Sequence, residues 1–183
     1  MTQTLPPDAG KVLLPLARAA IAAHLEGRGL AVPTQPSWLA DPGAAFVTLT
    51  EAGRLRGCIG SLEAWRPLGE DVTANAIAAA VRDPRFPALT RRELDGVRVE
   101  VSVLSAPEPL PAASEDEALS ALRPGVDGVI LADGSRRGTF LPQVWEQLPT
   151  PREFLGHLYR KAGVRGWGDG TRLSRYTVTA WEE

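Results

Sequence analysis

The stretch Leu55-Arg56-Gly57-Cys58-Ile59-Gly60 is the most distinctive part of the sequence, and it is predicted to form the second strand of a β-hairpin. The first strand covers about residues 45–50, and Glu51-Ala52-Gly53 forms the short turn between the two strands. Gly57 and Gly60 carry no side-chain bulk, so another backbone or a ligand can approach this strand closely. The hairpin therefore predicts an antiparallel sheet built around this stretch.

Helices and further strands are predicted on both sides of the hairpin. Helical spacing of apolar residues, capping residues and prolines place helices at about residues 8–27, 67–82, 114–122 and 151–162. From Val97 to Ser105 the sequence alternates, which puts four valines on one face of a strand. A second hairpin joins residues 126–132 to 136–141 across Asp133-Gly134, and a last strand covers about 173–181.

The second hairpin resembles the first in sequence. Gly53–Ile59 can be laid without a gap over Gly134–Phe140, and each copy precedes a helix and a later strand. The pattern predicts either an internal duplication, with halves at about 44–105 and 126–181, or a chance match. A duplication gives an α+β fold in which two βββαα-like repeats share one curved, mainly antiparallel, barrel-like sheet within a single domain, 1–183.

Composition narrows the classes of function. The chain has 183 residues, a net charge of -2 and one cysteine, Cys58. A protein that grips phosphate backbones is usually strongly basic, so a nucleic-acid partner is not expected. His24 and His157 stand at no metal-ligand spacing, and neither a metal nor a cofactor is predicted. No apolar run approaches 18 residues, so no membrane span is expected, and a reducing, cytoplasmic location is the simplest interpretation.

Cys58 is the first candidate for chemistry. Strand alternation predicts that Arg54, Arg56 and Cys58 share one face, while Leu55 and Ile59 point into the core. A guanidinium nearby favours the thiolate, so Cys58 is a candidate nucleophile, with Arg56 as a catalytic partner and Arg54 as a binding residue. The alternative is structural, because a free cysteine often packs as a small apolar residue.

Other candidates come from three places in the chain. Glu100 and Ser102 lie on the face of their strand opposite the valines, where Glu100 would pair with Arg56 or act as an acid or base. The alternative for both is a solvated strand face. Arg85 is presented by the rigid turn Asp83-Pro84-Arg85-Phe86-Pro87 and is a candidate binding residue, unless the turn only stops a helix. Trp167, between two glycines, would stack on a ligand or plug the core.

These motifs together resemble the AMMECR domain family, and more narrowly the "AmmeMemoRadiSam system protein A" group. The resemblance runs from the first helix to about Trp181. It is carried by residues 55–60, 83–86 and 100–105, by Gly128, and by 139–144, 154–155, 161–163 and Trp167. The resemblance implies an α+β fold with a duplicated strand–helix unit. It also points to Arg56 and Cys58 as the favoured site residues.

The resemblance implies partners but no reaction. Members of this group are expected beside a Memo-like protein and a radical SAM protein, which favours an accessory, partner-binding role. The second hypothesis is a thiol-dependent enzyme that uses Cys58 on a small-molecule or peptide-like substrate, with Glu100 as base or orienting group. A third, RNA binding, is weaker because the charge is unfavourable and no aromatic-basic motif is present.

Overall fold

The computed structural model describes residues 5–183, and the chain divides into two compact units. Unit 1 contains the residues up to Ser105 together with Thr179–Glu183, and unit 2 contains Ala106–Val178. Each unit has its own sheet and its own cluster of buried apolar side chains.

Unit 1 is a sheet with two helices on one face. Its elements are α1 (Gly10–Leu25), β1 (Pro42–Glu51), β2 (Arg54–Gly60), β3 (Arg66–Pro67), α2 (Leu68–Val81), β4 (Val97–Leu104) and β9 (Val178–Glu182), whose first residue is the last one of unit 2. The strand order is β2-β1-β4-β9, and the short β3 pairs with the beginning of β1. β1 pairs antiparallel with both β2 and β4, so the predicted hairpin lies at one edge of this sheet.

The predicted valine face of β4 is the core face of unit 1. All four valines are buried, and they pack with Val47 and Leu49 of β1 against the apolar sides of α1 and α2. Gly57 shows how closely α2 lies on the hairpin, because a Cβ atom at this position would stand 2.1 Å from the Ala79 carbonyl oxygen. The glycine of the distinctive stretch is therefore required by helix packing.

Unit 2 is a smaller sheet packed against two helices. Its elements are β5 (Glu108–Leu110), α3 (Glu115–Ala121), β6 (Gly128–Asp133), β7 (Arg136–Phe140), α4 (Pro151–Ala162) and β8 (Thr171–Tyr176). The strand order is β5-β8-β6-β7, with antiparallel pairing throughout. Phe154 of α4 lies at the centre of this core, stacked on Trp145 at 3.8 Å and edge-on to Phe140 at 5.3 Å.

The α+β class and the antiparallel pairing are confirmed, but the single barrel-like sheet is not. The described strands form two separate sheets, one in each unit. The expected last strand at about 173–181 was wrong, because it is two strands: β8 ends at Tyr176 in the sheet of unit 2, and β9 begins at Val178 in the sheet of unit 1.

Both units contain the same order of elements. In unit 1 the hairpin β1–β2 is followed by α2 and by β4, which pairs with β1; in unit 2 the hairpin β6–β7 is followed by α4 and by β8, which pairs with β6. Gly138 of β7 lies against Ala162 of α4, as Gly57 lies against Ala79 of α2. Internal duplication accounts for this likeness but stays a prediction.

Candidate functional site

A β-bulge in the hairpin decides which side chains surround Cys58. Leu49 pairs with Gly57 but Thr50 pairs with Leu55, so Arg56 is an extra residue in β2. A bulge interrupts strict alternation. As a result Leu55, and not Arg54, is on the face of Thr48 and Cys58, which corrects the expected set of neighbours.

The thiol of Cys58 lies beside a hydroxyl that sequence reasoning missed. Cys58 pairs with Thr48, and the distance from Sγ to the Thr48 Oγ1 atom is 3.2 Å. Thr48 also pairs with Glu100 on its other side, so the three residues form a row across β2, β1 and β4. The row lies on the sheet face opposite the two helices, and Cys58 is half-buried there.

Glu100 and Cys58 share a face but are not in contact. Two strand spacings separate them, about 10 Å. The Glu100 carboxylate instead accepts a hydrogen bond from the Ser102 hydroxyl at 3.1 Å. The structure therefore brings the predicted candidates Cys58, Glu100 and Ser102 onto one polar face, with Thr48 between the thiol and the carboxylate.

Asp83 and Arg85 close the edge of the sheet at Cys58. The Cys58 N–H donates to Asp83 Oδ2 at 2.9 Å, and the Arg85 guanidinium donates to the Cys58 carbonyl oxygen at 3.3 Å. Arg85 also donates two bonds to the buried Asp83 carboxylate, at 2.7 and 2.9 Å. The Arg85 guanidinium, helped by the backbone N–H groups of Cys58 and Arg85, holds the pKa of Asp83 well below its usual range. The Asp-Pro-Arg turn thus fixes the backbone of β2.

Arg56 is nearly buried, and its hydrogen bonds stabilise the fold. Its residue is 8% exposed, and its guanidinium donates to the Pro87 carbonyl at 3.0 Å and to Glu93 Oε1 at 3.3 Å. Two bonds from Thr90 to Glu93, assisted by Arg56, keep the pKa of Glu93 below its usual value. The expected pairing of Arg56 with Glu100 is not what the structure shows, because Arg56 binds the segment that follows α2.

The remaining predicted candidates lie elsewhere. Arg54 is exposed at the hairpin end, where Glu51 is its partner in the strand register. Trp167 belongs to unit 2, where it is partly buried against the apolar cluster. His157 is exposed on α4. Within residues 5–183 no group of three or more histidine, cysteine or carboxylate side chains could hold a metal ion.

A second feature that sequence reasoning missed is the Trp65 loop, residues 61–66. The Trp65 residue is 70% exposed, and the Arg66 guanidinium lies over its ring at 4.5 Å. The fully buried Asp71 carboxylate accepts hydrogen bonds from Ser61 Oγ at 2.6 Å and from Arg66 Nε at 2.8 Å. Both ends of the loop are therefore hydrogen-bonded to the buried Asp71 carboxylate, which holds the loop that carries the exposed Trp65 ring.

The Asp71 carboxylate also ties the loop to the sheet and to α2. It accepts a bond from the Ala45 N–H at 2.8 Å and one from the Asn75 amide at 3.0 Å. Asn75 in turn donates to Ser61 Oγ at 3.1 Å. A signal for this network is present in the sequence, since Asp71 and Asn75 stand at i, i+4 on the alanine-rich, core-facing side of α2.

Comparison with known proteins identifies the family. The AMMECR1 family profile matches residues 14–181. The chain belongs to the AMMECR1 family. An AMMECR1-family relative from Methanothermobacter thermautotrophicus is 43% identical, covering 96% of this chain and 95% of the relative. Another relative, from Thermofilum pendens, is 40% identical over 89% of this chain and 84% of the relative.

A solved AMMECR1-family structure has the same fold. The crystal structure of the uncharacterized protein PH0010 from Pyrococcus horikoshii matches with a TM-score of 0.84 and 34% sequence identity. The match covers 98% of this chain and 93% of that one. The match therefore includes both units. Among the described residues, no helix combines the length and the apolar character needed to cross a membrane.

The contacts of Cys58 hold the backbone of β2 in place, and the side chains around its thiol form a polar surface. The backbone N–H and C=O of Cys58 are both held, and its thiol contacts a neutral hydroxyl. Within residues 55–60, Gly57 admits α2, Gly60 admits the ring of Phe46, and Arg56 binds the segment after α2. Most of the motif is thus explained by packing.

Proposed function

We propose that this protein is an accessory component that binds protein partners through the Trp65 loop. The expected partners, implied by the resemblance described above, are a Memo-like protein and a radical SAM protein. The observation that supports the proposal is the exposure of Trp65 on a loop anchored by the buried Asp71 carboxylate. A tryptophan left mostly in water adds little burial energy to a fold, whereas interface hot spots are enriched in tryptophan.

The loop has the properties of an interface centre. Leu62, at 40% exposure, adds apolar surface to the same loop. The guanidinium of Arg66, stacked on the Trp65 ring, limits the motion of that ring. A rigid aromatic group loses little conformational entropy on binding, so more of its buried area is converted into affinity.

The test is a binding measurement with purified Memo-like and radical SAM proteins from the same organism. Trp65→Ala is expected to weaken binding about 30-fold, the size of a hot-spot loss. The matched control is Leu30→Ala, which removes another exposed apolar side chain and is expected to leave affinity unchanged. Cys58→Ala is also expected to bind normally.

Two results would contradict this proposal. One is the absence of binding by either protein at about 100 μM, which is weaker than specific complexes usually require. The other is equal affinity of the Trp65→Ala variant and the unaltered chain, which would place the interface elsewhere.

A second candidate is a thiol-dependent activity at Cys58, favoured by its half-exposed position and by the neighbouring Thr48 hydroxyl and Arg85 guanidinium. In this hypothesis Cys58 attacks a small or peptide-like substrate, and Glu100 on the same face orients that substrate.

The test is alkylation by iodoacetamide across a pH series. The matched variant is Arg85→Gln, which removes the cation near the thiol. A thiol that reacts at no pH excludes this activity, and equal rates in both proteins would mean that Arg85 does not activate the thiol.

A further inference from the structure

The two edges of the sheet in unit 1 differ in how they are protected. At the β2 edge, the outward N–H and C=O of Cys58 are occupied by Asp83 and Arg85. Such covering of an edge is a common defence against unwanted strand pairing. The opposite edge is β9, and its residues Thr179, Ala180 and Glu182 are exposed.

A hydrogen bond at the end of β9 indicates which backbone groups of this strand face outward. The Glu183 N–H donates to the Val99 carbonyl oxygen of β4 at 3.1 Å. Because alternate residues of an antiparallel pair point their N–H and C=O to opposite sides, Trp181 faces β4 as Glu183 does. The N–H and C=O of Ala180 and Glu182 therefore point away from the sheet, and no bond from another part of residues 5–183 occupies them.

A groove of about 640 Å³ runs beside this open edge. Its apolar walls come from the segment before α1, from α1 itself and from the end of β9, namely Pro7, Gly10, Leu14, Pro15 and Trp181. The Trp181 ring lies directly against Gly10, where a Cβ atom would stand 2.5 Å from the ring, and its indole N–H donates to the Pro7 carbonyl at 2.9 Å. The groove floor is therefore fixed in place by the fold.

The charges around the groove favour one kind of occupant. Arg18 is neutralised by its ion pair with Glu183, and Lys11 lies 3.9 Å from Asp8. Glu182 is exposed and has no cationic partner among the described residues. The exposed lining is thus largely apolar in area, although half of the lining residues are charged. Arg98 binds the Glu183 carbonyl oxygen, which leaves Glu182 as the carboxylate at the strand edge that has no ion pair among residues 5–183.

We infer that β9 is a site of β-strand addition, which accepts an extended segment of a partner protein with apolar residues at alternate positions and a basic residue opposite Glu182. Backbone pairing with Ala180 and Glu182 supplies the hydrogen bonds. Since side chains of an added strand alternate between faces, every second one enters the groove beside Leu14 and Pro15. This inference does not depend on the Trp65 loop.

The test is a titration of the full-length, isotope-labelled chain with a synthetic octapeptide of alternating valine and threonine that carries one lysine. Binding at about 1 mM or below is expected. The amide signals of Ala180 and Glu182 should shift and become protected from hydrogen exchange, and the Trp181 indole signal should shift with them. A control peptide of the same residues with two prolines cannot pair as a strand and should not bind.

Matched variants distinguish strand pairing from nonspecific binding of the peptide. Ala180→Pro removes one outward donor at an edge where proline is tolerated, and should weaken binding about tenfold. Ala180→Gly keeps the N–H and should bind like the unaltered chain. Leu14→Ser should weaken binding through the groove wall.

The inference is overturned by equal binding of the proline and glycine variants, or by signal shifts centred on other strands. It is also overturned if the peptide does not bind at all. Sedimentation of the chain as a dimer that Ala180→Pro dissociates would overturn it too, because the edge would then belong to a second copy.

Discussion

Replacing Gly57 by alanine tests whether the distinctive motif is chiefly a packing device. The added Cβ would stand 2.1 Å from the Ala79 carbonyl oxygen, whereas ordinary contact begins near 3.4 Å. The atom in the way belongs to the backbone of α2 and cannot rotate aside, so α2 and β2 must separate by about 1.3 Å. Such a movement loosens a core in which Val72 and Ala76 are fully buried.

The expected cost is at the upper end of the overpacking range, about 3 kcal/mol. For a chain of this size that free energy corresponds to a fall in melting temperature of about 6–12 °C. Gly138→Ala is the graded comparison, because its Cβ would stand 3.0 to 3.2 Å from atoms of Ala162 and needs only a small adjustment. It should cost about 1 kcal/mol, or about 2–4 °C.

The assay is thermal unfolding followed by far-UV circular dichroism. Gly29→Ala is the control, since nothing lies within 4 Å of its added Cβ, and it should change stability by less than about 0.5 kcal/mol. If Gly57→Ala melts at the same temperature as Gly29→Ala, the close approach of α2 does not explain this glycine.

Three further substitutions test the site. Asp83→Asn should lower the free energy of unfolding at neutral pH. In this variant the free energy of unfolding should also fall less steeply as the pH is lowered. Arg85 depresses the pKa of Asp83, so this carboxylate stabilises the fold above its ordinary pKa of about 3.9, and the contribution is lost as pH falls below that value. Arg56→Lys should cost about 1–2 kcal/mol in urea unfolding, because one ammonium cannot replace the two bonds to Pro87 and Glu93. Cys58→Ser should abolish alkylation, as Cys58 is the single cysteine, and should change stability by about 1 kcal/mol or less.

Each of these has a contrary outcome. An unchanged acid limb in Asp83→Asn would mean that the carboxylate is not held ionised by Arg85. Full stability of Arg56→Lys would mean that its bonds contribute no net free energy. A large loss in Cys58→Ser would give the thiol a packing role that its half-exposed position does not suggest.

Local pattern was sufficient for most individual elements. The valine alternation of β4, the turn at Ala52-Gly53 and the helix Pro151–Ala162 all follow from side-chain period, turn residues and caps, which act over a few residues. Ser114 accepts a bond from the Glu117 N–H, as its capping signature predicts. The family resemblance, carried by separated motifs, is confirmed by the profile match and by the relatives.

The division of the strands between two sheets could not be predicted from such patterns. A strand signal reports that residues alternate, but it does not say which strand they pair with. The break between Tyr176 and Val178 sends β8 and β9 into different sheets, although the sequence reads as one continuous strand. Pairing depends on where distant segments lie, which is a property of the folded chain.

The sequence by itself determined the hairpin, its glycines, the valine core face and the membership of the family. The tertiary structure alone decided what surrounds Cys58. One extra residue in β2, Arg56, shifts the register of the hairpin. The alternation of apolar and polar residues does not reveal such a bulge, because the backbone can accommodate one extra residue locally. That shift sets Cys58 beside Thr48 and binds Arg56 to Glu93. Contacts between residues far apart in sequence, and not the spacing of residues within a strand, therefore define this site.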